Sequence, residues 1–320
     1  MRLCRFRRDN LAVAGFYSEK TVVPLLAAAK AFSDATHETL PLPRGDDLVE
    51  LLPGGKAHEV AKKLAGWVDR QRDALPTAAL IETDKVELLV PVPRPNKLFL
   101  LAGNYASHIQ EGGGMAPERL ETFPYVFMKP PTTTLTDPLK PVVIPSVSPK
   151  NIDWELELAV VIGRTARHVS ESEALSYVAG YTVVNDISDR KFRPNPNRKT
   201  REKDSFFDWL HGKWHDSFCP CGPCITSADA IPDPQKLAMK LSVSGDLKQN
   251  ASTGQQIFPV AAVIEFISNI VTLEPGDIIS TGTPAGVGSA SGTFLKAGDK
   301  VEAWIEGIGT LVSPVVAEKA

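Results

Sequence analysis

The segment that most constrains the fold is residues 153–163, DWELELAVVIG, in which acids interrupt an apolar run that ends at a glycine. Side chains alternate between the two faces of a strand, so Glu155 and Glu157 share one face, with Asp153 beside them. Carboxylates on a largely buried strand are costly unless a cation lies between them, and a hard divalent cation prefers oxygen ligands. The alternative is a strand end in solvent that carries ordinary surface acids.

A third carboxylate can join this pair. The capping box at residues 170–173, SESE, predicts the start of a helix that runs to Tyr177, and residues 181–184 then predict a strand that leads into Asp186. A strand, a helix and a second strand could bring Asp186 beside the two glutamates. Three carboxylates with water molecules would make a Mg²⁺ or Mn²⁺ site.

The composition excludes several classes of protein. The formal net charge of −3 comes without a basic block, so no nucleic-acid partner is expected. No apolar run approaches the roughly 18 residues that cross a bilayer, so no membrane partner is expected either. Residues 1–8 are basic but lack a following apolar region, unlike a secretory signal, and four cysteines do not make a disulfide framework in 320 residues. We therefore expect a cytoplasmic protein.

The chain divides at a proline-rich connector, residues 91–95, into a small N-terminal α+β domain (1–90) and a larger domain (96–320). In the first domain, the patterns predict strands at 3–6 and 11–16 and helices at 22–32 and 57–75. In the second, they predict a hairpin at 241–246, a helix over 255–270 and a terminal hairpin over 300–305 and 309–315.

Two further segments carry chemical groups. His108 and Glu111 become neighbours if their segment is helical, and a carboxylate beside an imidazole suits a general base that activates water. The glycines at 112–114 would let this segment move as a lid, although an ordinary surface pair is the alternative. Residues 281–288, TGTPAGVG, offer backbone N–H groups and hydroxyls for a carboxylate or oxyanion, but they do not form a P-loop.

Two other clusters have less specific patterns. Residues 219–224, CPCGPC, do not match a standard zinc spacing, so we favour buried small side chains in a turn over structural zinc, with His211 and His215 nearby. Residues 191–207 form a basic, turn-rich insert, which is either a solvated loop or a cover that attracts an anionic substrate.

Taken together, these pieces resemble the fumarylacetoacetate hydrolase family from about Asn96 to the C-terminus. The resemblance is carried, in order, by Asn104-Tyr105-x-x-His108-x-x-Glu111, Lys129-Pro130, Glu155-Leu156-Glu157-Leu158 with Val160-Val161-Ile162-Gly163, Asn185-Asp186-Ile187-Ser188-x-Arg190, Lys213-x-x-Asp216-x-Phe218-x-Pro220-x-Gly222-Pro223, and Thr281-Gly282-Thr283-Pro284-x-Gly286-Val287-Gly288.

The resemblance implies an α+β fold with a mixed β-roll, a homodimer, and Mg²⁺ or Mn²⁺ held by Glu155, Glu157 and Asp186. It also implies an enzyme that hydrolyses a C–C bond in a short 2-oxo acid or 1,3-dicarbonyl compound, such as an acylpyruvate or fumarylacetoacetate, through an enolate at the metal. The implied roles of further residues are these: His108, oriented by Glu111, activates water; Lys213 neutralises developing charge; and Lys129, Arg190 and Thr283 contact the substrate.

Other outcomes on the same scaffold stay open. They are an oxaloacetate-type decarboxylase, a 2-hydroxydienoate isomerase, and a catalytically silent relative that binds 2-oxo acids. The chain departs from the family pattern after Asp186, where Ser188-Asp189-Arg190-Lys191 replaces the usual Ser/Thr-Ala-Arg-Asp, and in the longer, more basic 191–207 insert. Both departures adjoin the expected mouth of the site, so they bear on the identity of the substrate.

Overall fold

The protein is described by a computed structural model that covers residues 1–72 and 75–319. Its strands are β1 (Arg2–Arg8), β2 (Leu11–Tyr17), β3 (Thr21–Pro24), β4 (Ile81–Glu82), β5 (Glu87–Leu89), β6 (Leu98–Ala102), β7 (Tyr125–Met128), β8 (Leu135–Thr136), β9 (Val142–Ile144), β10 (Ile152–Asp153), β11 (Leu156–Ile162), β12 (Val178–Asn185), β13 (Ser188–Asp189), β14 (Cys219–Ser227), β15 (Ala238–Val243), β16 (Asp246–Ser252), β17 (Ile278–Ser280), β18 (Lys300–Ile305) and β19 (Gly309–Ala317). Its helices are α1 (Leu25–Thr36), α2 (His58–Arg70), α3 (Ala106–Glu111), α4 (Pro131–Thr134), α5 (Glu171–Ala174), α6 (Asp204–His211), α7 (Val260–Ile270) and α8 (Gly288–Ser291).

A twelve-stranded mixed sheet forms the centre of the molecule, in the order β4-β3-β2-β1-β14-β12-β11-β17-β6-β7, with β5 paired to β1 and β8 to β14. Strand β11 lies between β12 and β17 and is antiparallel to both. Its Leu158 and Val160 belong to one hydrophobic core, and its Ala159 and Val161 belong to a second core on the opposite face. Both faces of β11 are therefore buried, as its apolar sequence predicts.

The acids at the start of β11 are buried as well. Glu157 is 0% exposed and Glu155 is 4% exposed. The prediction that they lie on the face opposite Trp154 and Leu156 is confirmed, because those two residues pack into the first core. The alternative of a solvent-exposed strand end with surface acids is wrong.

A second, five-stranded sheet has the order β16-β15-β18-β19-β9. It contains the two predicted hairpins, β15–β16 and β18–β19, which are both confirmed. Its Leu241, Ala303 and Leu311 share the first core with Leu158 of β11. This packing places the five-stranded sheet, through β15, against the strand that carries the acids.

The first 90 residues extend the large sheet. Strand β1 forms a hairpin with β2, as predicted, and also pairs with β14 through Leu3 opposite Ile225. Backbone hydrogen bonds thus cross the predicted boundary at residues 91–95. The division into domains 1–90 and 96–320 stays a prediction.

Three predicted helices have different bounds. Val22 and Val23 lie in β3 and pair with β2, and α1 begins only after Pro24, because β-branched residues favour strands and proline fits the start of a helix. Helix α2 ends at Arg70 rather than at residue 75, and residues 73 and 74 lie outside the described residues. Helix α7 begins at Val260, because Pro259 ends the extended segment before it.

The predicted turn at the cysteines is also wrong, because β14 runs through all of residues 219–227. The four cysteines are free and buried, in agreement with their interpretation as small core side chains. The helix predicted to begin after Ser170 is present as α5, which continues as a 3₁₀ turn to Tyr177. The capping box itself is not formed, because the Ser170 hydroxyl donates to the Glu173 carboxylate and caps no backbone N–H. No helix within the described ranges combines the length and the apolar character needed to cross a membrane.

Truncating β11 tests the importance of this central strand. We expect Leu158→Ala to lower the free energy of unfolding by about 2–5 kcal/mol, because the side chain is fully buried and its removal leaves a cavity. Leu247→Ala in β16 is the matched control, since Leu247 is 56% exposed, and it should change stability by less than about 0.5 kcal/mol. Urea unfolding monitored by circular dichroism measures both values, and equal losses would contradict the burial of β11.

Candidate metal centre

Three carboxylates converge where β11 and β12 meet. One oxygen atom from each of Glu155, Glu157 and Asp186 lies within 4.8 Å of the other two. The register places Leu156 opposite Asn185, and the ladder continues as the Asp186 N–H donates to the Glu155 carbonyl at 2.9 Å. Among residues 1–72 and 75–319, this is the only group of three or more His, Cys, Asp or Glu side chains with converging ligand atoms, so the cysteines form no such site.

Two buried lysines neutralise part of this charge. Lys213 Nζ lies 2.7 Å from Glu155 Oε2 and 2.6 Å from Asp186 Oδ2. Lys129 also forms an ion pair with Asp186, and its Nζ donates to the backbone carbonyls of Ile187 and Phe218 at 2.9 and 2.6 Å. Both lysines, predicted to contact the substrate or its developing charge, therefore hold the carboxylates in this structure.

Arg190 supplies the third cation. Its guanidinium lies 2.5 Å from Glu155 Oε1, and its Nε donates to Asp153 Oδ2 at 2.7 Å. Asp153, for which the sequence suggested no role, also accepts from the backbone N–H groups of Gly288 and Ser289 at 2.6 and 3.0 Å. Asp153 thus links Arg190 to the segment that follows β17.

The neighbouring charges determine the protonation states of Glu155 and Lys213. Burial raises the pKa of Glu155, but the charges of Lys213 and Arg190 outweigh it and bring the pKa to about 2. Burial lowers the pKa of Lys213, but Asp186 and Glu155 outweigh that effect and raise the pKa above its usual value. Both groups are therefore charged at neutral pH.

Glu157 differs from the other carboxylates. Its Oε2 accepts hydrogen bonds from Ser280 Oγ at 2.6 Å and from the Gly282 N–H at 2.9 Å. Its Oε1 is buried without a hydrogen-bond partner, and no salt bridge to Glu157 occurs in the part of the chain that the structure describes. Burial, followed by repulsion from Asp186 and Glu155, raises the pKa of Glu157 well above its usual value. An unsatisfied oxygen in an all-carboxylate donor set fits a hard divalent cation such as Mg²⁺ or Mn²⁺.

The predicted histidine–glutamate pair is formed. His108 and Glu111 lie on α3, and His108 Nδ1 is 2.9 Å from Glu111 Oε1. The other oxygen of Glu111 accepts from the Gly286 N–H at 2.9 Å, which ties α3 to residues 281–288. The imidazole is 20% exposed and lies near enough to Glu155 to contribute to the lowered pKa of that carboxyl. The pair therefore combines access to solvent with proximity to the carboxylates.

Residues 281–288, predicted to offer backbone donors to a substrate, are held by acids instead. The N–H groups of Gly282, Gly286 and Gly288 bind Glu157, Glu111 and Asp153, respectively. Gly286 has a φ of +100°, and a Cβ there would lie 2.1 Å from the Lys248 carbonyl, so only glycine fits this turn.

Buried amides that the sequence analysis missed complete the frame. Asn104 accepts from the Phe258 N–H and donates to the carbonyls of Phe258 and Thr281. Gln249 of β16 bonds to both Leu156 and Thr283. Asn104 lies in the same motif as His108 and Glu111, but the sequence indicated no role for it. Nothing in the sequence around Gln249 indicates the contacts of that residue.

The basic insert is partly neutralised by its own acids. Arg198 pairs with Asp204 at 2.8 Å and with Asp208 at 2.5 Å, and Arg201 pairs with Asp204 at 3.0 Å. Lys191 and Lys199 are exposed. The pairing of Arg198 and Arg201 agrees with the interpretation of the insert as a solvated loop. The exposed Lys191 and Lys199 remain available to attract an anionic substrate.

Comparisons with known proteins agree on the family. The model of the fumarylacetoacetate (FAA) hydrolase C-terminal domain matches residues 97–316. The oxaloacetate tautomerase Fahd2a, mitochondrial, of Rattus norvegicus is 36% identical over 265 residues, which is 80% of this chain and 80% of that protein.

Solved structures match over nearly the whole chain. The maleylpyruvate hydrolase of Sphingobium sp. SYK-6, in complex with manganese(II) and pyruvate, has a TM-score of 0.71 at 30% identity, covering 100% of both chains. The 2-hydroxyhepta-2,4-diene-1,7-dioate isomerase of Mycobacterium marinum has a TM-score of 0.68 at 28% identity, also covering 100% of both. These matches confirm the predicted α+β fold with a mixed β-roll.

The carboxylate cluster generates a prediction for Glu157→Gln. We expect the metal-free variant to be at least as stable as the wild type, because the substitution removes a repelled carboxylate and places an amide N–H beside Asp186 and Glu155. Mg²⁺ at about one hundred times its Kd should stabilise the wild type by about 2.7 kcal/mol and the variant by much less. Thermal unfolding with EDTA and with Mg²⁺ measures both effects.

Asp277→Asn is the matched control for this experiment. Asp277 is equally buried, but it pairs with Lys97 and lies outside the cluster. The control should lower the Tm without EDTA dependence and should keep the Mg²⁺-induced rise in Tm. An undiminished rise in Glu157→Gln would show that the carboxylates do not bind the metal.

Proposed function

The chain belongs to the fumarylacetoacetate hydrolase family, and on this basis we propose that it is a divalent-metal-dependent hydrolase. Its substrate is a short 2-oxo acid or 1,3-dicarbonyl compound of the acylpyruvate or fumarylacetoacetate type, and the reaction cleaves a C–C bond. The cofactor is Mg²⁺ or Mn²⁺, held by Glu155, Glu157 and Asp186.

The observation that carries this proposal is the unsatisfied oxygen of Glu157. Four buried carboxylates, including Asp153, face only three cations, and Glu157 is the one without an ion pair among the described residues. An uncompensated buried carboxylate is expensive, and a cation between three carboxylates removes that cost. The Sphingobium hydrolase that contains manganese(II) and pyruvate supports the same cofactor class and the same type of ligand.

The chain's own residues perform the proton transfer. A metal bound to the three carboxylates would supply Lewis-acid stabilisation of negative charge on the substrate's oxo oxygen. His108, oriented by Glu111, removes a proton from water, and the resulting hydroxide attacks the acyl carbonyl carbon. The bond from that carbon to the methylene of the pyruvate fragment then breaks, and its electron pair leaves with the fragment. The proton finally returns to that methylene carbon, so the products are a carboxylic acid and pyruvate.

Cationic and hydroxyl groups position the substrate. Lys213, buried between Glu155 and Asp186, offsets the negative charge that develops on the leaving fragment. Thr283 contributes its hydroxyl to an oxygen of the substrate, and Arg190, whose side chain is 17% exposed, anchors the substrate's acidic end. Lys129 is fully buried and its three donors are taken by Asp186, Ile187 and Phe218, so it holds the carboxylate in place and does not contact the substrate.

A second candidate is an oxaloacetate tautomerase. The rat relative named for that activity is 36% identical across 80% of this chain. Keto–enol exchange moves one proton between carbon and oxygen, and His108 could serve as the base without the attack of water. A dienoate isomerase also moves a proton between two atoms of its substrate. An oxaloacetate-type decarboxylase instead releases CO₂, and the enolate that remains takes up a proton from solvent. A silent 2-oxo acid-binding relative would keep the site without turnover.

A substrate panel separates these activities. Purified protein is incubated with acetylpyruvate, oxaloacetate and a 2-hydroxydienoate, with EDTA or with Mg²⁺, and the products are followed by NMR. We expect Mg²⁺-dependent formation of acetate and pyruvate from acetylpyruvate, and a loss of at least about a hundredfold in kcat for His108→Gln, in which the general base is missing.

His168→Gln is the control, because His168 is an exposed histidine hydrogen-bonded to Asn269. Tautomerisation of oxaloacetate without hydrolysis of acetylpyruvate would replace the first candidate by the second. Binding of 2-oxo acids without any turnover would support the silent relative.

We propose that the active form is a homodimer in which a second copy covers the open edge of the large sheet. Strand β7 ends the sheet, and beside it lies an apolar groove of about 600 Å³. Its lining includes Tyr125, Phe206 and Ile270, which are 65%, 53% and 66% exposed. An open strand edge beside exposed apolar side chains is typical of a protein interface, and a two-fold axis lets the same edge serve both copies.

Charged substitutions in the groove test the dimer. We expect Tyr125→Lys and Ile270→Lys to convert the protein to a monomer in size-exclusion chromatography with light scattering, because each buries a lysine in an apolar interface. Leu11→Lys, at an equally exposed leucine in β2, is the control and should keep the wild-type mass. A monomeric wild type, or groove variants that stay dimeric, would contradict this interface.

The cytoplasmic location stays a prediction, and the rat relative is named as mitochondrial.

A further inference from the structure

Gln249, on β16, connects the start of β11 to residues 281–288. It lies on β16 in the five-stranded sheet and is completely buried. Its Oε1 accepts from the Leu156 N–H at 2.9 Å, and its Nε2 donates to Thr283 Oγ1 at 2.9 Å and to the Pro284 carbonyl at 2.8 Å. One side chain thus bonds to the carboxylate strand and to residues 281–288.

The partners of Gln249 fix the orientation of its amide. The Leu156 N–H can only donate and the Pro284 carbonyl can only accept, so the amide oxygen faces Leu156 and the amide nitrogen faces Pro284 and Thr283. The Thr283 hydroxyl therefore receives a hydrogen bond from Gln249. Since a hydroxyl has one proton, that proton is directed away from Gln249.

Among the residues that the structure describes, none accepts the hydroxyl proton of Thr283. Across residues 1–72 and 75–319, Thr283 Oγ1 forms a hydrogen bond as an acceptor from Gln249 and none as a donor. The neighbouring Gly282 N–H binds Glu157 Oε2, which places this turn beside the carboxylate cluster. A hydroxyl donor held beside a cation site is suited to an oxygen atom of an anionic ligand.

We propose that Gln249 is a positioning residue that makes the Thr283 hydroxyl a hydrogen-bond donor to a carboxylate or oxo oxygen of the substrate. Gln249 does not touch the substrate itself. The inference rests on the proposed function in that it takes Thr283 to contact a 2-oxo acid.

The chain contains a matched comparison. Gln256 Nε2 donates to Thr281 Oγ1 at 2.7 Å, in the same way as Gln249 donates to Thr283. The Thr281 hydroxyl, however, donates its proton to the Leu158 carbonyl at 2.8 Å. The second pair therefore has a structural role and offers no donor to a ligand.

Substitutions at Gln249, at Thr283 and at the comparison residue Gln256 test the inference through two measurements. One is KM and kcat for the 2-oxo acid that the wild type converts fastest. The other is the Kd of oxalate with Mg²⁺, measured by calorimetry, which needs no turnover. We expect Gln249→Met and Thr283→Val each to raise KM and the oxalate Kd about tenfold, as for one lost hydrogen bond to a charged group, while kcat changes less than about threefold.

Two further variants separate positioning from simple destabilisation. The double variant Gln249→Met/Thr283→Val should bind oxalate no more weakly than Thr283→Val alone, because both substitutions remove one donor. Gln249→Glu should weaken binding at least as much as Gln249→Met, because a carboxylate would accept the Thr283 proton. Gln256→Met should lower the Tm because it removes a structural hydrogen bond. It should leave KM and the oxalate Kd within about threefold of the wild-type values, because the Thr281 hydroxyl donates to Leu158 and not to a ligand.

The outcomes are distinguishable. An additive double variant, or a Gln249→Met variant with a lower Tm and unchanged KM and Kd, overturns the inference. A wild type that binds oxalate with Mg²⁺ but converts no 2-oxo acid contradicts the proposed function alone, and the oxalate Kd then decides the role of Gln249. A wild type that does not bind oxalate overturns both.

Discussion

Four carboxylates, those of Asp153, Glu155, Glu157 and Asp186, are buried together where β11 begins and β12 ends. Such a group is stable only when cations offset the loss of hydration, which costs several kcal/mol for each uncompensated ion. Lys129, Lys213 and Arg190 come from three different segments to meet this requirement. Among the described residues, Glu157 is the carboxylate of this group that has no ion pair, and its free oxygen is where a divalent cation would complete the arrangement.

Two of these acids, together with Glu111, also hold the backbone of residues 281–288. Glu157, Glu111 and Asp153 each accept the N–H of a different glycine in residues 281–288. The turn therefore depends on the carboxylates, and the carboxylates depend on the turn for part of their hydrogen bonding. Glu111 holds both His108 and this turn, so it connects α3 to the backbone that also binds Glu157 and Asp153.

Local sequence patterns predicted correctly those features that depend on residues within a single strand, helix or hairpin. The alternation in β11, the i, i+3 pair on α3 and the β18–β19 hairpin needed only periodicity and turn residues. The patterns failed where tertiary pairing outweighs propensity. Val22 and Val23 read as part of a helix but pair with β2, and the proline-rich cysteine segment read as a turn but lies within β14 between two other strands.

The sequence alone predicted which residues come together at the candidate centre: the acids Glu155, Glu157 and Asp186, the pair His108 and Glu111, and the cations around them. It did so because these residue types stand out against apolar strands and recur in the order typical of one family. Only the tertiary structure decided the roles of Asp153 and Gln249. Each acts through partners more than 30 residues away along the chain, and a contact between distant segments leaves no periodic signal in the sequence.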